Sequence, residues 1–327
     1  MKRNSYIMIA LFLMPLVLCS CGKNDSNIQE ENNVDVSAEA SVENAEISVE
    51  KTAVTQQEEQ ATVSAEDAST EEVINETIEP EILHFVDVFQ QEYEVEINPN
   101  IATKEYADTC FVHDGDKLTY SDENYTSRLG VDVSRHQGDI DWHKVKEFGV
   151  EFTFIRVGYR GYGSAGNINL DERFKKNIVA AQNEGIEVGV YFFAQAINDE
   201  EAKEEAEFVI KALEGYDLQL PVVYDPESIL DAPARTDDVT PEQFTRNTEI
   251  FCKAIKEAGY SPMIYSNMLW EAYNLDLEQL SDYPIWYADY EPCPQTPYAF
   301  EFWQYTNEGK VPGISGAADL NIQLVKK

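Results

Sequence analysis

The sequence predicts an α/β fold, an irregular TIM-like (β/α)5(β)3 barrel preceded by a disordered acidic tether. Three observations carry this. From Gly130 onward, short runs rich in β-branched and aromatic residues alternate with segments of helical period, the pattern of a parallel sheet with crossover helices. Beyond Ser266 the helical segments fade while strand-like runs continue to a total of eight, enough to close a barrel. Before His84 the composition is of another kind, since residues 22–84 contain no Phe, Tyr or Trp. With 327 residues, 43% of them hydrophobic, the chain can bury a sizeable core, which excludes a small disulfide-stapled scaffold. A net charge of −37 excludes a nucleic-acid partner held by phosphate neutralisation.

The first element is an address. Lys2 and Arg3 precede an apolar run from Tyr6 to Leu18, too short and wrongly flanked for a stable spanning helix. The run ends Leu18-Cys19-Ser20-Cys21-Gly22, which resembles the bacterial lipoprotein box, although Cys19 is unusual within it. The resemblance implies cleavage before Cys21 and a lipid anchor on Cys21, giving an extracytoplasmic protein attached to the bacterial cell membrane by several acyl chains. An ordinary secretory leader is the plainer alternative. Residues 1–21 are thus expected to be the signal peptide and residues 22–84 the linker. From Gly22 to Asn100 there are 21 acidic residues against two lysines. Low hydrophobicity with like charge does not offset the entropy of ordering, and self-repulsion extends such a spacer.

Aromatic residues return at Phe85, and Glu92-Tyr93-Glu94-Val95-Glu96-Ile97 alternates as an edge strand does. Residues 85–128 read as an extension packing on the barrel, which occupies 129–327. Within the barrel, strands are expected at Gly130–Ser134, Phe152–Tyr159, Val188–Gln195, Leu220–Glu227 and Met263–Ser266, then Ile285–Tyr290, Phe300–Tyr305 and Asp319–Leu324. Helices are expected over Trp142–Phe148, from Phe174 to a stop at Gly185, and around Ala202–Leu213. The fourth helix opens with the capping box Thr240-Pro241-Glu242-Gln243 and closes at Ala258-Gly259.

Chemistry in such barrels sits at the carboxyl ends of the strands. Four acids stand out there. Asp132 lies in the first strand, Asp225 and Glu227 close the fourth, and Asp319 opens the last. Strands one and eight are neighbours in a closed barrel, so Asp132 and Asp319 can meet, with strand four across the mouth. Asp225 and Glu227 share a face if the strand runs through them, with Cα atoms about 7 Å apart. Paired acids without a cation raise at least one pKa, which suits a general acid near neutral pH. Two carboxylates across a cleft are the requirement of glycoside hydrolysis. Alone, an Asp-x-Glu pair is common, and four acids can also bind a divalent cation. Neither histidines nor loop spacing supports a metal site, and nothing implies a cofactor. His136 follows the first strand in a loop and reads as a rim residue.

The stretch Gly130-Val-Asp-Val-Ser-Arg-His-Gln-Gly138, with Ile140-Asp-Trp142, resembles the opening of glycoside hydrolase family 25, the lysozymes or N-acetylmuramidases. Similar stretches follow in order: Phe154-Ile-Arg-Val-Gly158, Val190-Tyr-Phe-Phe193, Pro221-Val-Val-Tyr-Asp-Pro-Glu227, Met263-Ile-Tyr265, Ile285-Trp-Tyr-Ala-Asp289, Trp303-Gln-Tyr305 and Gly313 to Asn321. The resemblance implies that Glu227 is the general acid and that Asp225 orients or stabilises the substrate's N-acetyl group. Asp132 and Asp319 would complete the pocket floor, and Tyr191, Tyr265, Trp286 and Gln304 would line the sugar groove. Core packing is the ordinary alternative for aromatic residues on barrel strands. The implied reaction is hydrolysis of the β-1,4 bond between N-acetylmuramic acid and N-acetylglucosamine in peptidoglycan, with retention, the substrate's acetamido oxygen or a carboxylate serving as nucleophile. Pro226, between the two acids, departs from the family's usual residue and biases Asp225 to an extended conformation. No cell-wall-binding repeat follows the barrel in this sequence, so localisation would rest on lipid and tether.

Two other readings stay open, a non-catalytic peptidoglycan-binding lipoprotein and a hydrolase of another acetamido-sugar polymer. A monomer is expected. Of the three cysteines outside the leader, Cys252 reads as a small buried hydrophobe, and Cys110 with Cys293 as a candidate disulfide.

Overall fold

The computed structural model describes residues 79–230 and 233–327. The chain divides into two compact units, Met1–Val73 and Ile74–Lys327. The first lies outside the described residues, as do the leader, Cys21 and nearly all of the expected tether. The end of that tether is corrected. Ile82, Leu83 and His84 belong to strand β1 (Ile82–Val86), antiparallel to β2 (Glu92–Glu96). β2 shows the alternation its sequence requires, with Tyr93 and Val95 half-buried between exposed glutamates. A second hairpin, β3 (Phe111–Asp114) and β4 (Lys117–Tyr120), turns at Gly115, whose φ of 62° suits glycine.

The barrel follows: β5 (Tyr125–Val133), α1 (Trp142–Glu147), β6 (Phe152–Arg160), the short β7 (Ile168–Leu170), α2 (Phe174–Asn183), β8 (Glu187–Ala194), α3 (Asp199–Ala212), β9 (Val222–Pro226), α4 (Pro241–Glu257), β10 (Pro262–Asn267), α5 (Met268–Tyr273), β11 (Ile285–Ala288), β12 (Phe302–Gly309) and β13 (Ala318–Lys326). Eight of these strands close in the order β5-β6-β8-β9-β10-β11-β12-β13, with β13 returning to β5, and β7 adds an antiparallel strand outside β6. α4 starts with half of the expected capping box, the Thr240 hydroxyl accepting from the Gln243 N–H while the Gln243 side-chain amide donates to Asp199 and Asn247, and it ends before Gly259 at φ 92°.

Strand direction differs from the simple parallel expectation. β5 through β12 are parallel around the barrel, but β13 is antiparallel to both neighbours. Only residues 310–317 separate β12 from β13, fewer than the dozen or so a parallel crossover needs, so the chain folds back. The reversal brings Asp319, at the start of β13, directly opposite Asp132, near the end of β5.

Side-chain alternation divides the apolar residues into two layers. Phe152, Phe154, Val223, Met263, Trp286 and Phe302 fill the barrel interior. Val131, Ile155, Val188, Val190, Tyr224 and Ile264 face outward beneath the helices. Interior rings need gaps in the facing strands. A Cβ on Gly130 would stand 2.2 Å from the Phe152 ring, and one on Gly189 2.5 Å from the Phe154 ring.

Among the described residues, helices follow β5, β6, β8, β9 and β10 but neither β11 nor β12. The outer faces of β11 and β12 would be wet there, and residues from the extension cover them. Phe111 packs edge-on to Trp303 at 5.0 Å and Tyr106 lies 5.1 Å from Phe300. The Ala299 N–H donates to Ala102 O and the Lys104 N–H to Pro297 O. Burying rings of this size is worth roughly 1.5–3 kcal/mol each, so the extension does for this side of the barrel what helices do elsewhere. The expected Cys110–Cys293 disulfide is absent. Both are free thiols, and the Cys293 thiol points instead toward the Asp108 carbonyl at 3.8 Å. Cys252 is fully buried on α4.

Candidate active site at the barrel mouth

The four acids come together on three strands at one end of the barrel. Asp132 precedes the last residue of β5, Asp225 and Glu227 lie at and just past the end of β9, and Asp319 is the second residue of the reversed β13. Asp132 and Asp225 are buried, while Glu227 and Asp319 are half-buried. His136 sits exposed in the turn after β5.

Neutral donors hold Asp132. Its Oδ2 accepts from Gln304 Nε2 and from Asn321 Nδ2, each at 2.8 Å. Asn321 in turn accepts from the Trp286 indole N–H at 2.8 Å. Gln304 Oε1 accepts from the hydroxyls of Tyr265 and Tyr290, both at 3.0 Å. One connected network thus runs across β11, β13, β5, β12 and β10. Such a network orients a carboxyl group without neutralising it.

All four carboxyl groups are pushed upward. Burial raises Asp132 well above the usual carboxylate range, and neighbouring Asp319 raises it further. Asp319 is raised to about 6, again by burial, while a hydrogen bond with Asp132 works the other way. Asp225 is raised well above its ordinary value by burial, then by the charge of Glu227 and a hydrogen bond to it. Burial raises Glu227 too, against the hydrogen bond from Asp225 and with the charge of Asp319. In each pair, burial and the partner's like charge disfavour ionising both carboxyl groups at once. The other oxygen of Asp225, Oδ1, is buried without a hydrogen-bond partner.

A cation stands near without cancelling this. Arg156 on β6 lowers both Asp225 and Glu227. Its guanidinium, however, is bound to Asp171, with Nε 2.9 Å and Nη2 2.8 Å from Oδ2. Asp171 also accepts from the N–H groups of Arg135 and Arg173, so it ties the loop after β5 to the start of α2. Sequence reasoning missed Arg156, Asp171, Asn321 and Tyr290. The signal available for Arg156 was an arginine inside an otherwise apolar strand.

The expected groove residues divide. Tyr191 is half-buried on β8, and its hydroxyl is kept protonated by burial and by Asp132. Tyr265 and Gln304 are buried members of the network behind Asp132. Trp286 is corrected to the floor. It is only 1% exposed, stacks on Phe154 at 4.5 Å and meets Tyr191 and Tyr265 edge-on, so its faces are already covered. Among the described residues no three His, Cys, Asp or Glu side chains converge in metal-ligating geometry.

Comparison with known proteins follows this geometry. The family model for glycosyl hydrolases family 25 matches residues 131–314, which include Asp132, Asp225 and Glu227 but not Asp319. An autolytic lysozyme of Clostridium acetobutylicum is 28% identical over 193 residues, covering 59% of this chain and 54% of its own. Lysozyme M1 of Streptomyces globisporus is 27% identical over 218 residues, covering 63% of this chain and 71% of its own. The modular autolysin LytC of Streptococcus pneumoniae aligns with a TM-score of 0.54 at 23% identity, over 74% of this chain and 56% of that one. Its structure has also been solved with a synthetic peptidoglycan ligand. The chain thus spans about half the length of the Clostridium enzyme and of LytC.

Proposed function

The chain belongs to glycosyl hydrolases family 25, and from that premise we propose that it is a lysozyme-type muramidase that cleaves the β-1,4 bond from N-acetylmuramic acid to N-acetylglucosamine in peptidoglycan. The observation that carries this reading is the Asp225–Glu227 pair. Both carboxyls are pushed upward by burial, and one buried oxygen, Asp225 Oδ1, has no hydrogen-bond partner. A sugar bearing an acetamido group supplies what that oxygen lacks.

Glu227 is the general acid. As the glycosidic oxygen approaches, a proton passes from Asp225 to Glu227 and on to the leaving oxygen, and the C1–O bond breaks. The substrate's acetamido carbonyl oxygen attacks C1 and forms an oxazolinium ion. Asp225, now a carboxylate, faces that positive charge and accepts from the acetamido N–H. Water then attacks C1, Glu227 takes its proton, and configuration is retained. Substrate assistance is a known exception to the two-carboxylate scheme. The charge of Asp319, with burial, keeps Glu227 protonated toward neutral pH, and Tyr191 lines the entrance.

The irregular (β/α)5(β)3 description, a monomeric state and the boundaries 85–128 and 129–327 belong to the same reading. So does localisation. A lipid on Cys21 and an acidic tether would hold the barrel near the outer face of the membrane. Like charge between a chain of −37 and anionic wall polymers slows encounter, and tethering offsets this by raising local concentration. The role is therefore local wall remodelling or turnover.

The test is purified protein on isolated peptidoglycan, with released fragments reduced and weighed by mass spectrometry. Reduced muramic-acid ends are expected from the wild type. Glu227→Gln should retain binding and lose roughly 10²–10⁴-fold in rate. Full activity in that variant removes Glu227 as the acid, and wall binding without release in the wild type makes the protein a glycan-binding lipoprotein.

A further inference from the structure

Beyond the barrel, the β1–β2 hairpin presents apolar side chains to solvent at its tip. Val88 is 65% and Phe89 71% exposed. The tip is nonetheless held in one shape. Asp87 Oδ1 accepts from the N–H groups of Phe89 and Gln91 at 2.8 and 2.9 Å, and Gln90 is the one non-glycine residue with positive φ among the described residues, at 62°. A left-handed glutamine is uncommon, and such conformations persist where the surroundings hold them.

The hairpin is fixed to the rim of the barrel mouth. Gln295 pairs with the backbone of Val86 as a peptide would, accepting at 2.8 Å and donating at 3.0 Å. Gln90 donates to Glu291 at 2.7 Å. Glu291 and Gln295 are both anchored by their N–H groups to the Asp289 carboxylate, just past the end of β11. The next residue, Tyr290, is 38% exposed and donates to Gln304, which holds Asp132. Covalent and hydrogen-bonded links therefore run without a break from the hairpin tip to the acid cluster. Against the hairpin lies an open hollow of about 500 Å³, lined among others by His84, the stacked Phe85 and Tyr93, Glu94 and Gln295. That volume is within the range of small-molecule sites.

The geometry points to an accessory subsite: the β1–β2 hairpin extends the groove and binds an N-acetylated sugar of the glycan strand outside the cleavage position. The inference rests on the muramidase reading and adds to it a substrate contact outside the segment matched by the family model. The chemistry fits this occupant. A pyranose ring brings apolar C–H faces for Phe89 at the exposed tip and hydroxyl and amide donors for the Glu92 and Glu94 carboxylates lining the hollow beside it. An anionic ligand would meet Glu92 and Glu94, which selects a neutral sugar. Two adjacent exposed apolar side chains held in one shape offer a face for such a ring.

The experiment uses the full chain with Phe89→Ala, the double variant Val88→Ser/Phe89→Ser, and Val179→Ser on the exposed face of α2 as control. Initial rates are measured on long glycan strands and on a four-sugar fragment. The expected result is a KM about tenfold higher for the two hairpin variants on long strands, with kcat kept, the short fragment unaffected and the control unchanged. The exposed positions leave thermal unfolding where it was. An unchanged KM on long strands overturns the subsite while leaving the muramidase reading intact. If the wild type cleaves nothing, that reading fails, and co-sedimentation with undigested strands decides the subsite. Binding about tenfold weaker in the hairpin variants upholds it, and equal binding or none overturns it.

Discussion

Replacing Asp319 by asparagine should make the protein more stable and less active. Burial raises this carboxyl from 3.8 to about 6 in the folded state. The folded protein therefore holds the proton more tightly than the unfolded chain. Stability is fully present below pH 3.8, falls as pH rises toward 6, and is level above that. At about 1.4 kcal/mol for each pH unit, the loss is about 3 kcal/mol. Asparagine keeps the shape and still accepts the hydrogen bond from Asp132 but never ionises. The gain should be near zero at pH 3.5 and about 3 kcal/mol at pH 7.5. For a domain of this size that is roughly 6–12 °C in Tm. Thermal unfolding of both proteins at pH 3.5, 5 and 7.5, with turnover at pH 5 and 7.5, checks the sign and the window. The variant also loses a charge that raises Glu227, so the alkaline limb of its activity should move to lower pH. An increment equal at every pH, or a variant less stable at pH 7.5, refutes the reasoning, because both outcomes require that ionisation of Asp319 costs nothing.

Asn321→Leu removes one of two donors to Asp132 and leaves the Trp286 N–H without its acceptor. A bond between neutral groups is worth about 0.5–1.5 kcal/mol and a buried donor left unpaired costs about 1–3 kcal/mol, so denaturant unfolding at pH 7 should show a loss of about 1.5–4 kcal/mol, and activity should fall with it. Gly130→Ala drives a methyl group into the Phe152 ring, and unfolding should show a cost of about 1–3 kcal/mol, with Gly130→Ala/Phe152→Leu recovering part of it.

Much of the barrel was legible because periodicity is a local signal. The capping box at Thr240 and the glycine at 259 predicted α4 to within a residue, since caps are set by neighbours in sequence. The direction of β13 was not legible from periodicity, which is the same for a strand running either way. The clue was the shortness of the run 310–317, eight residues between two strands. The β3–β4 hairpin went unread although Gly115-Asp116 between short strands is a hairpin signal. The acids could be found because carboxylates at strand ends are conspicuous. The groups that hold them could not, since Asn321 and Asp132 are 189 residues apart and an asparagine alone announces nothing. For Trp286 the difficulty was geometric. The interior face of a barrel strand serves both floor and groove, and only depth along the strand separates them.

The site is built to keep protons, and that explains its choice of neighbours. A cation against Asp132 would lower its pKa and the stability cost of ionising it. Two amides stand there instead, one of them held by the Trp286 indole N–H; they orient the carboxyl and draw its pKa down by less than burial pushes it up. The nearby cation, Arg156, is spent on Asp171, where it fastens a loop and moderates Asp225 and Glu227 without discharging them. Asp225, the more deeply buried of that pair, is pushed well above the carboxylate range, and the half-buried Glu227 lies nearer solvent. In the proposed reaction that division suits an acid that gives up a proton near neutral pH and recovers it from water. The site's cost in stability is about 3 kcal/mol at Asp319 alone, and the rings that the extension buries over β11 and β12 contribute in the opposite direction.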